Sequence, residues 1–250
     1  MTRRSALPAT PAYDPHAFPP FAVTVDMVVL TIADGRLQVV LVERGAPPFE
    51  GSWALPGGFV HVDESLDAAA ARELTEETGV RAAKHLDQFG AYGDPDRDPR
   101  MRVVSVAYLA ILPEIGALAA ASDARNAELV AVDKLLRRRP ARQLAFDHRA
   151  ILRDAVEVAR TKLETTSVAT AFVDREFTLT DLRVVYETIW GETLDAGNFR
   201  RKVLSTPGFV TPTGYRAQPG PEGGKPPDLY RAGRTRLAPL DPPMRRTGRR

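Results

Sequence analysis

The 250-residue sequence predicts an α/β domain followed by a smaller module of two helices and a β-hairpin. Three observations carry this. Two apolar, β-type runs near the start, Val23–Ile32 and Leu37–Glu43, flank Asp34-Gly35, a dipeptide that favours a tight hairpin. A Gly- and Pro-rich loop from Pro47 to Gly58 then leads into a helical pattern, Ser65 to Thr78, whose apolar side ends in glutamates. After Thr170 the order becomes helix, turn, helix and two short strands, the outline of a winged helix-turn-helix.

Taken in order, residues 1–20 contain Pro8, Pro11, Pro15, Pro19 and Pro20 and read as a disordered lead-in. The α/β domain is expected over 21–168. Beyond the hairpin and the glutamate-bearing helix, which Gly79 can end, a long apolar strand is expected at Val103–Leu112. A shorter one falls around Glu128–Asp133, and a helix runs from Ala145 to about Thr165 with Ile151, Ala155 and Val158 on one face. The second module is expected over 169–234. Thr178-Leu-Thr-Asp181 resembles a capping box, and Leu182, Val185, Tyr186 and Ile189 form the stripe of the helix that it opens. Gly191 ends that helix, Asp195 caps a second one to about Ser205, and Phe209–Thr213 and Asp228–Arg231 are the strands. Residues 235–250 read as a basic, disordered tail.

Composition narrows the setting. No run of about 18 apolar residues exists, since Asp26 interrupts the best stretch, Phe21 to Ile32, so no membrane partner is expected. No apolar segment follows Met-Thr-Arg-Arg to direct secretion, and a cytoplasmic location is expected. With no cysteine there is neither a disulfide framework nor a thiolate zinc site. The net charge of +2 is unevenly spread: acids predominate over 171–195, and arginines and lysines after Arg200. A basic C-terminal stretch suits nucleic acid, although such stretches are also common as solvated surface.

The glutamate helix carries the chemistry. Gly58, Glu64, Arg72, Glu73, Leu74, Glu76, Glu77, Gly79 and Val80 stand in fixed spacing, and the seven Gly, Glu and Arg positions would coincide by chance about once in 10⁸ positions. At about 100° per residue, Glu73, Glu76 and Glu77 fall on one side, continuing the line of Leu66 and Ala70. Mutual repulsion, partial burial and the helix dipole all oppose three carboxylates there. A hard divalent cation with oxygen ligands, Mg²⁺ or Mn²⁺, reverses these penalties. The competing reading, solvated acids with Arg72 paired to Glu76, leaves the register of Gly58, Glu64 and Gly79 without a reason.

This segment resembles the box of the Nudix hydrolase family. The resemblance implies an α/β/α sandwich and a nucleoside-diphosphate-linked ligand bridged to metal by its diphosphate. By position, Glu73 and Glu77 match the principal metal ligands and Glu76 an accessory one. Arg72 and Glu64 match the pair that orients them, and Gly57 and Gly58 the turn that brings backbone close to metal and phosphate. The implied reaction is attack of metal-activated water on a pyrophosphate. The general base is not assigned; Glu128 and Asp94 are candidates.

Arg97, Arg100 and Arg102 could grip phosphates, or could belong to a charge-neutralised surface loop. Their Asp-Pro-Arg setting and Leu144-Ala-Phe-Asp-His148 resemble ADP-ribose-type Nudix proteins, with Met101 standing where such relatives often carry Gly. Trp53 could stack on adenine or serve the core, and His148 reads as a helix-start residue rather than a catalytic one. In the second module Asn198, Arg201, Lys202 and Ser205 share one side of their helix, opposite Phe199 and Val203, and Arg200 adds charge beside them. Arg216 and Lys225 sit on the hairpin loop. This face suits phosphates and base edges of a double-stranded DNA operator; a module serving dimerisation or covering the active site is the alternative. Phe177-Thr-Leu-Thr-Asp-Leu, Asn198-Phe-Arg-Arg-Lys202 and Gly224-Lys-Pro-Pro-Asp-Leu-Tyr-Arg231 resemble the Nudix-related transcriptional regulators of NAD metabolism. That resemblance implies a homodimeric repressor sensing ADP-ribose or a related dinucleotide. Many such regulators carry eroded boxes. This box is intact, so residual pyrophosphatase activity stays open, as does an ADP-ribose-type hydrolase with an accessory winged helix.

Overall fold

A computed structural model describes residues 14, 17–80, 83–115, 124–218, 226–235 and 237–246. β1 (Ala22–Ala33) and β2 (Arg36–Arg44) form the expected hairpin. Asp34 and Gly35 sit at φ 51° and 66°, the left-handed pair whose twist matches the flanking strands. β3 (Trp53–Ala54) and β4 (Gly57–Phe59) follow, then α1 (Leu66–Thr78), β5 (His85–Tyr92), β6 (Val103–Ile111), β7 (Ala124–Ala131), α2 (Val132–Leu136) and α3 (His148–Thr165). The sheet runs β3-β2-β1-β6-β5, with β4 also on β1 and β7 also on β2. β1 and β6 pair in parallel.

Burial on both faces explains the unbroken apolar character of β1 and β6. Val25, Met27 and Val29 of β1 pack with Ala70 and Leu74 of α1. Val28 and Leu30, pointing the other way, pack with Ile151, Leu152 and Ala155 of α3. The result is the α/β/α sandwich. Ser65 caps α1 by accepting the Ala68 N–H, and Gly79 ends it at φ 73°. β3, β4 and β5 have no counterpart in the sequence expectations. The first two are too short to leave a period, and β5 mixes Asp87, Gln88 and Gly90 into its alternation. The strand expected around Glu128–Asp133 begins earlier and stops at Ala131, because Val132 and Asp133 open α2.

A short 3-10 helix, Ser167–Ala171, leads into the second module: α4 (Leu179–Trp190), α5 (Ala196–Ser205), β8 (Val210–Arg216) and β9 (Asp228–Ala232). The capping box is present, with Thr178 and Asp181 satisfying each other's backbone N–H groups. Tyr186 packs edge-on against Trp190 and Phe199, with centroids 4.9 and 5.4 Å away, and ties α4 to α5. β8 and β9 make the wing. This core is continuous with that of the sandwich through α3, and Arg160 of α3 donates to the Ile189 carbonyl at 3.1 Å.

The C-terminal segment corrects an expectation. Residues 237–246, expected to belong to a disordered tail, are docked, with Ala238, Leu240 and Met244 buried. The N–H groups of Leu240 and Met244 donate to the carbonyls of Thr165 and Glu164, each at 2.9 Å. Arg246 pairs with Glu157 and Glu164. Apolar residues interleaved with the arginines supply a buried side that a count of charges hides. Residues 247–250 lie outside the described residues, as do 1–13 of the lead-in expected to be disordered. Truncation after residue 236 uncovers the α3 terminus and removes two large apolar side chains, each worth about 1.5–3 kcal/mol. The thermal midpoint is expected to fall by about 5–10 °C in calorimetry; an unchanged midpoint would show that the segment is detached in solution.

Candidate functional site

Arg72 organises the loop and helix of the acidic centre. Its Nε and Nη2 grip both oxygens of Glu64 at 3.0 and 2.7 Å, and its Nη1 donates to Glu73 Oε1 at 2.8 Å and Glu76 Oε2 at 3.0 Å. The Arg72 hydrogen bonds hold the Glu64 carboxyl down to about 2, and the Glu64 hydrogen bond raises Arg72 in turn. Glu64 also accepts the His61 N–H at 2.9 Å, which fixes the loop before α1.

The glycine pair is required by close approach. A Cβ on Gly57 would lie 2.2 Å from the Val25 carbonyl oxygen, and one on Gly58 would lie 2.1 Å from Glu73 Oε1. Backbone therefore reaches where no side chain fits, and the Gly57 N–H donates to Glu77 Oε2 at 2.7 Å. Burial pushes the Glu77 carboxyl up to about 8, opposed by the Gly57 hydrogen bond and reinforced by nearby Glu73 and Asp26. Burial raises Glu73 as well.

The three glutamates do not converge. Glu76 is exposed and turned to Arg72, and among the described residues no three acidic or histidine side chains gather as a metal site. Glu73 and Glu77 remain as two buried oxygen donors beside a glycine cradle. That set fits a hard divalent cation that keeps waters and takes the rest of its ligands from phosphates. Bound there, such a cation would neutralise diphosphate charge and polarise its phosphorus–oxygen bonds.

Protonation of Glu77 without metal has a measurable consequence. Its folded pKa of about 8 lies above the ordinary 4.5, so the folded chain binds the extra proton between these values. Its contribution to stability is complete below pH 4.5 and is lost as pH rises through about 8. Glu77→Gln mimics the protonated form. In chelator the variant is expected to gain on wild type as pH rises from 5 to 9, reaching a few kcal/mol in denaturant unfolding; a pH-independent difference would contradict this.

A cavity of about 200 Å³ extends from Glu77 and the glycine pair to Arg44 and Phe146. Its floor is a buried charge network. Arg97, 4 % exposed in its side chain, donates to Asp26 Oδ2 at 3.1 Å and to both oxygens of Asp147 at 2.8 and 2.9 Å. His148 begins α3, as expected. Its Nδ1 accepts the Leu55 N–H at 2.8 Å and burial lowers its pKa, so the neutral ring presents its Nε2 proton toward Asp26 Oδ1, 3.5 Å away.

Of the other expected residues, Arg97 lines the cavity with its donors committed to acids, and Arg100 lines it exposed, paired with Asp98 at 2.7 Å. Arg102 lies outside it, bonded to the Gly93 carbonyl and 5.9 Å from the Phe21 ring centroid. Trp53 also lies outside, with Arg142 4.6 Å over its ring. Neither Glu128, paired with Arg142, nor the exposed Asp94 borders the cavity. Asp26, Arg44 and Phe146 do border it and were missed. Asp26 had a signal, since an acid inside an otherwise apolar strand run demands a buried partner.

On the second module Asn198, Arg200, Arg201 and Ser205 are exposed on α5, with Arg201 donating to Asn198 Oδ1. Lys202 is half-buried and donates to the Pro242 carbonyl. Arg216 on the wing pairs with Asp228 at 3.2 Å, and Lys225 lies outside the described residues.

Fold and site together define a Nudix domain joined to a winged helix with an exposed basic helix. The model of the NUDIX domain matches residues 20–155, and that of the NrtR DNA-binding winged helix domain matches residues 169–232. The chain is 34% identical over 221 residues to the ADPR responsive transcriptional repressor NtrR of Acinetobacter baylyi, covering 88% of this chain and 85% of that one. It superposes on the crystal structure of Shewanella oneidensis NrtR complexed with a 27mer DNA with a TM-score of 0.72, at 31% identity, covering 84% of this chain and 93% of that one. The NUDIX domain of the same Shewanella protein complexed with ADP ribose matches with a TM-score of 0.53, at 35% identity, over 59% of this chain and 94% of that one. The chain belongs to the NrtR family of Nudix proteins.

Proposed function

We propose that the protein is a transcriptional repressor of genes for NAD synthesis or salvage, binding a double-stranded operator through α5 and the wing and sensing ADP-ribose, or a related dinucleotide, in the Nudix cavity. The observation that carries this is α3. Its first residue, His148, lines the cavity; its 18 residues span about 27 Å; and its far half binds α4 through Arg160 and the C-terminal segment through Glu164. A ligand that moves Asp147 or His148 thus acts on a rigid element shared with the DNA-binding module. Glu73 and Glu77 support a Mg²⁺ or Mn²⁺ requirement for the ligand's diphosphate, with Arg100 at the same cavity. Among the described residues no helix is long and apolar enough to cross a membrane, and a repressor of this kind works in the cytoplasm beside the chromosome.

As a homodimer, two copies of α5 related by a two-fold axis would read an inverted repeat. DNase footprinting on the region upstream of the gene is expected to show one protected inverted repeat with half-site centres about 10 base pairs, or a multiple, apart. Protection without sequence preference would count against a repressor. Pyrophosphatase turnover is a separate property that the intact box permits and the sensing reading does not need.

A further inference from the structure

The cavity wall away from Glu77 is built by residues that the acidic centre does not explain. Phe146 lies at φ 52° and Phe49 at φ 61°, left-handed conformations that bulky residues rarely adopt. Such outliers persist where the surrounding structure imposes them, and they cluster at ligand clamps. At Phe146 the constraint is visible. The preceding Ala145 donates its N–H to the Trp53 carbonyl at 2.8 Å, and the following Asp147 is gripped by Arg97. The chain must turn within one residue, and that turn leaves the Phe146 ring on the cavity wall.

The ring has a built surround. Phe49 meets it edge-on with centroids 4.8 Å apart, and the Arg44 guanidinium carbon lies 4.8 Å over it. Arg44 is held flat by donation of its Nε to the Pro48 carbonyl at 2.7 Å. It is half-buried, and among the described residues no carboxylate lies within ion-pair distance of it. A desolvated guanidinium stacked on a phenyl ring, bonded only to carbonyls and facing a cavity, is a flat cationic platform.

We infer that Phe146 and Arg44 form a nucleobase subsite, on which the base of a nucleoside diphosphate stacks while its diphosphate extends toward Gly57, Gly58 and Glu77. The inference rests on the sensing role proposed for this cavity. It transfers the stacking role from Trp53, whose ring is covered by Arg142 outside the cavity.

Phe146→Gly is the informative variant, because glycine removes the ring yet suits the left-handed backbone and so does not endanger folding. Phe146→Tyr keeps the stack. ADP-ribose is titrated calorimetrically into each protein with Mg²⁺, and the adenine H2 and H8 resonances of the bound nucleotide are followed by NMR. In wild type these protons are expected to shift upfield under the ring current. Phe146→Gly should bind about 10- to 100-fold more weakly, as expected for loss of one stacked base, with the upfield shift gone, whereas Phe146→Tyr retains both. Unchanged affinity in Phe146→Gly overturns the subsite, and so does weaker binding with the upfield shift intact, which would mean an indirect effect. No binding of ADP-ribose to wild type overturns the sensing role itself and the subsite with it.

Discussion

Replacing Arg200 and Arg201 together by alanine is expected to lower operator affinity at least about 100-fold while leaving the fold and ADP-ribose binding unchanged. Both side chains are exposed on α5, so their loss creates no cavity. Each arginine that reaches a base edge is worth about 1–3 kcal/mol of discrimination. Lys202 is a poorer choice for the same test, because its ammonium group is bonded to the Pro242 carbonyl and its removal also loosens the docked C-terminal segment. Fluorescence anisotropy at physiological salt measures the effect. Unchanged affinity for the operator would remove α5 from the DNA interface.

Gly57→Ala is expected to produce the largest loss at the other end of the molecule. The new methyl group would stand 2.2 Å from the Val25 carbonyl oxygen and 3.0 Å from the Asp26 Cα, both backbone atoms of the central strand. These cannot rotate away, so β4 must part from β1. That movement breaks the Gly57 N–H bond to Glu77 and displaces Gly58 from Glu73. A loss of several kcal/mol in stability is expected, together with at least about a 100-fold loss of ADP-ribose affinity by calorimetry. A variant with wild-type stability and affinity would show that the close approach of β4 to β1 is not needed.

How far these features were legible in the sequence depended on how local their cause is. The Asp34-Gly35 turn, the Thr178–Asp181 capping box and the Asp195 cap each act within a few residues, and all three stand where the pattern placed them. The spacing from Gly58 to Gly79 was equally readable, including the grip of Arg72 on Glu64. Glu76 shares a helix side with Glu73 and Glu77 in projection, but Arg72 one turn earlier captures it, and helical periodicity alone does not rank such competitors. Arg97, Asp26 and Asp147 come from three distant segments, so nothing local announced that Arg97 would be consumed by acids. The left-handed turn at Phe146 arises because a pairing to Trp53 and the start of α3 meet at adjacent residues. Leu240 and Met244 looked solvated because the arginines around them dominate the tail's composition, whereas their burial depends on the end of α3, some eighty residues earlier.

The central claim is that one chain couples occupancy of the Nudix cavity to DNA binding. Its most direct test is fluorescence anisotropy of the full-length protein on DNA from upstream of its own gene, with and without ADP-ribose and Mg²⁺. The account predicts sequence-selective binding at physiological salt, with a Kd of about 10⁻⁸ M or tighter, that ADP-ribose shifts at least tenfold. Weak binding that vanishes with modest salt, or tight binding indifferent to ADP-ribose, would contradict it.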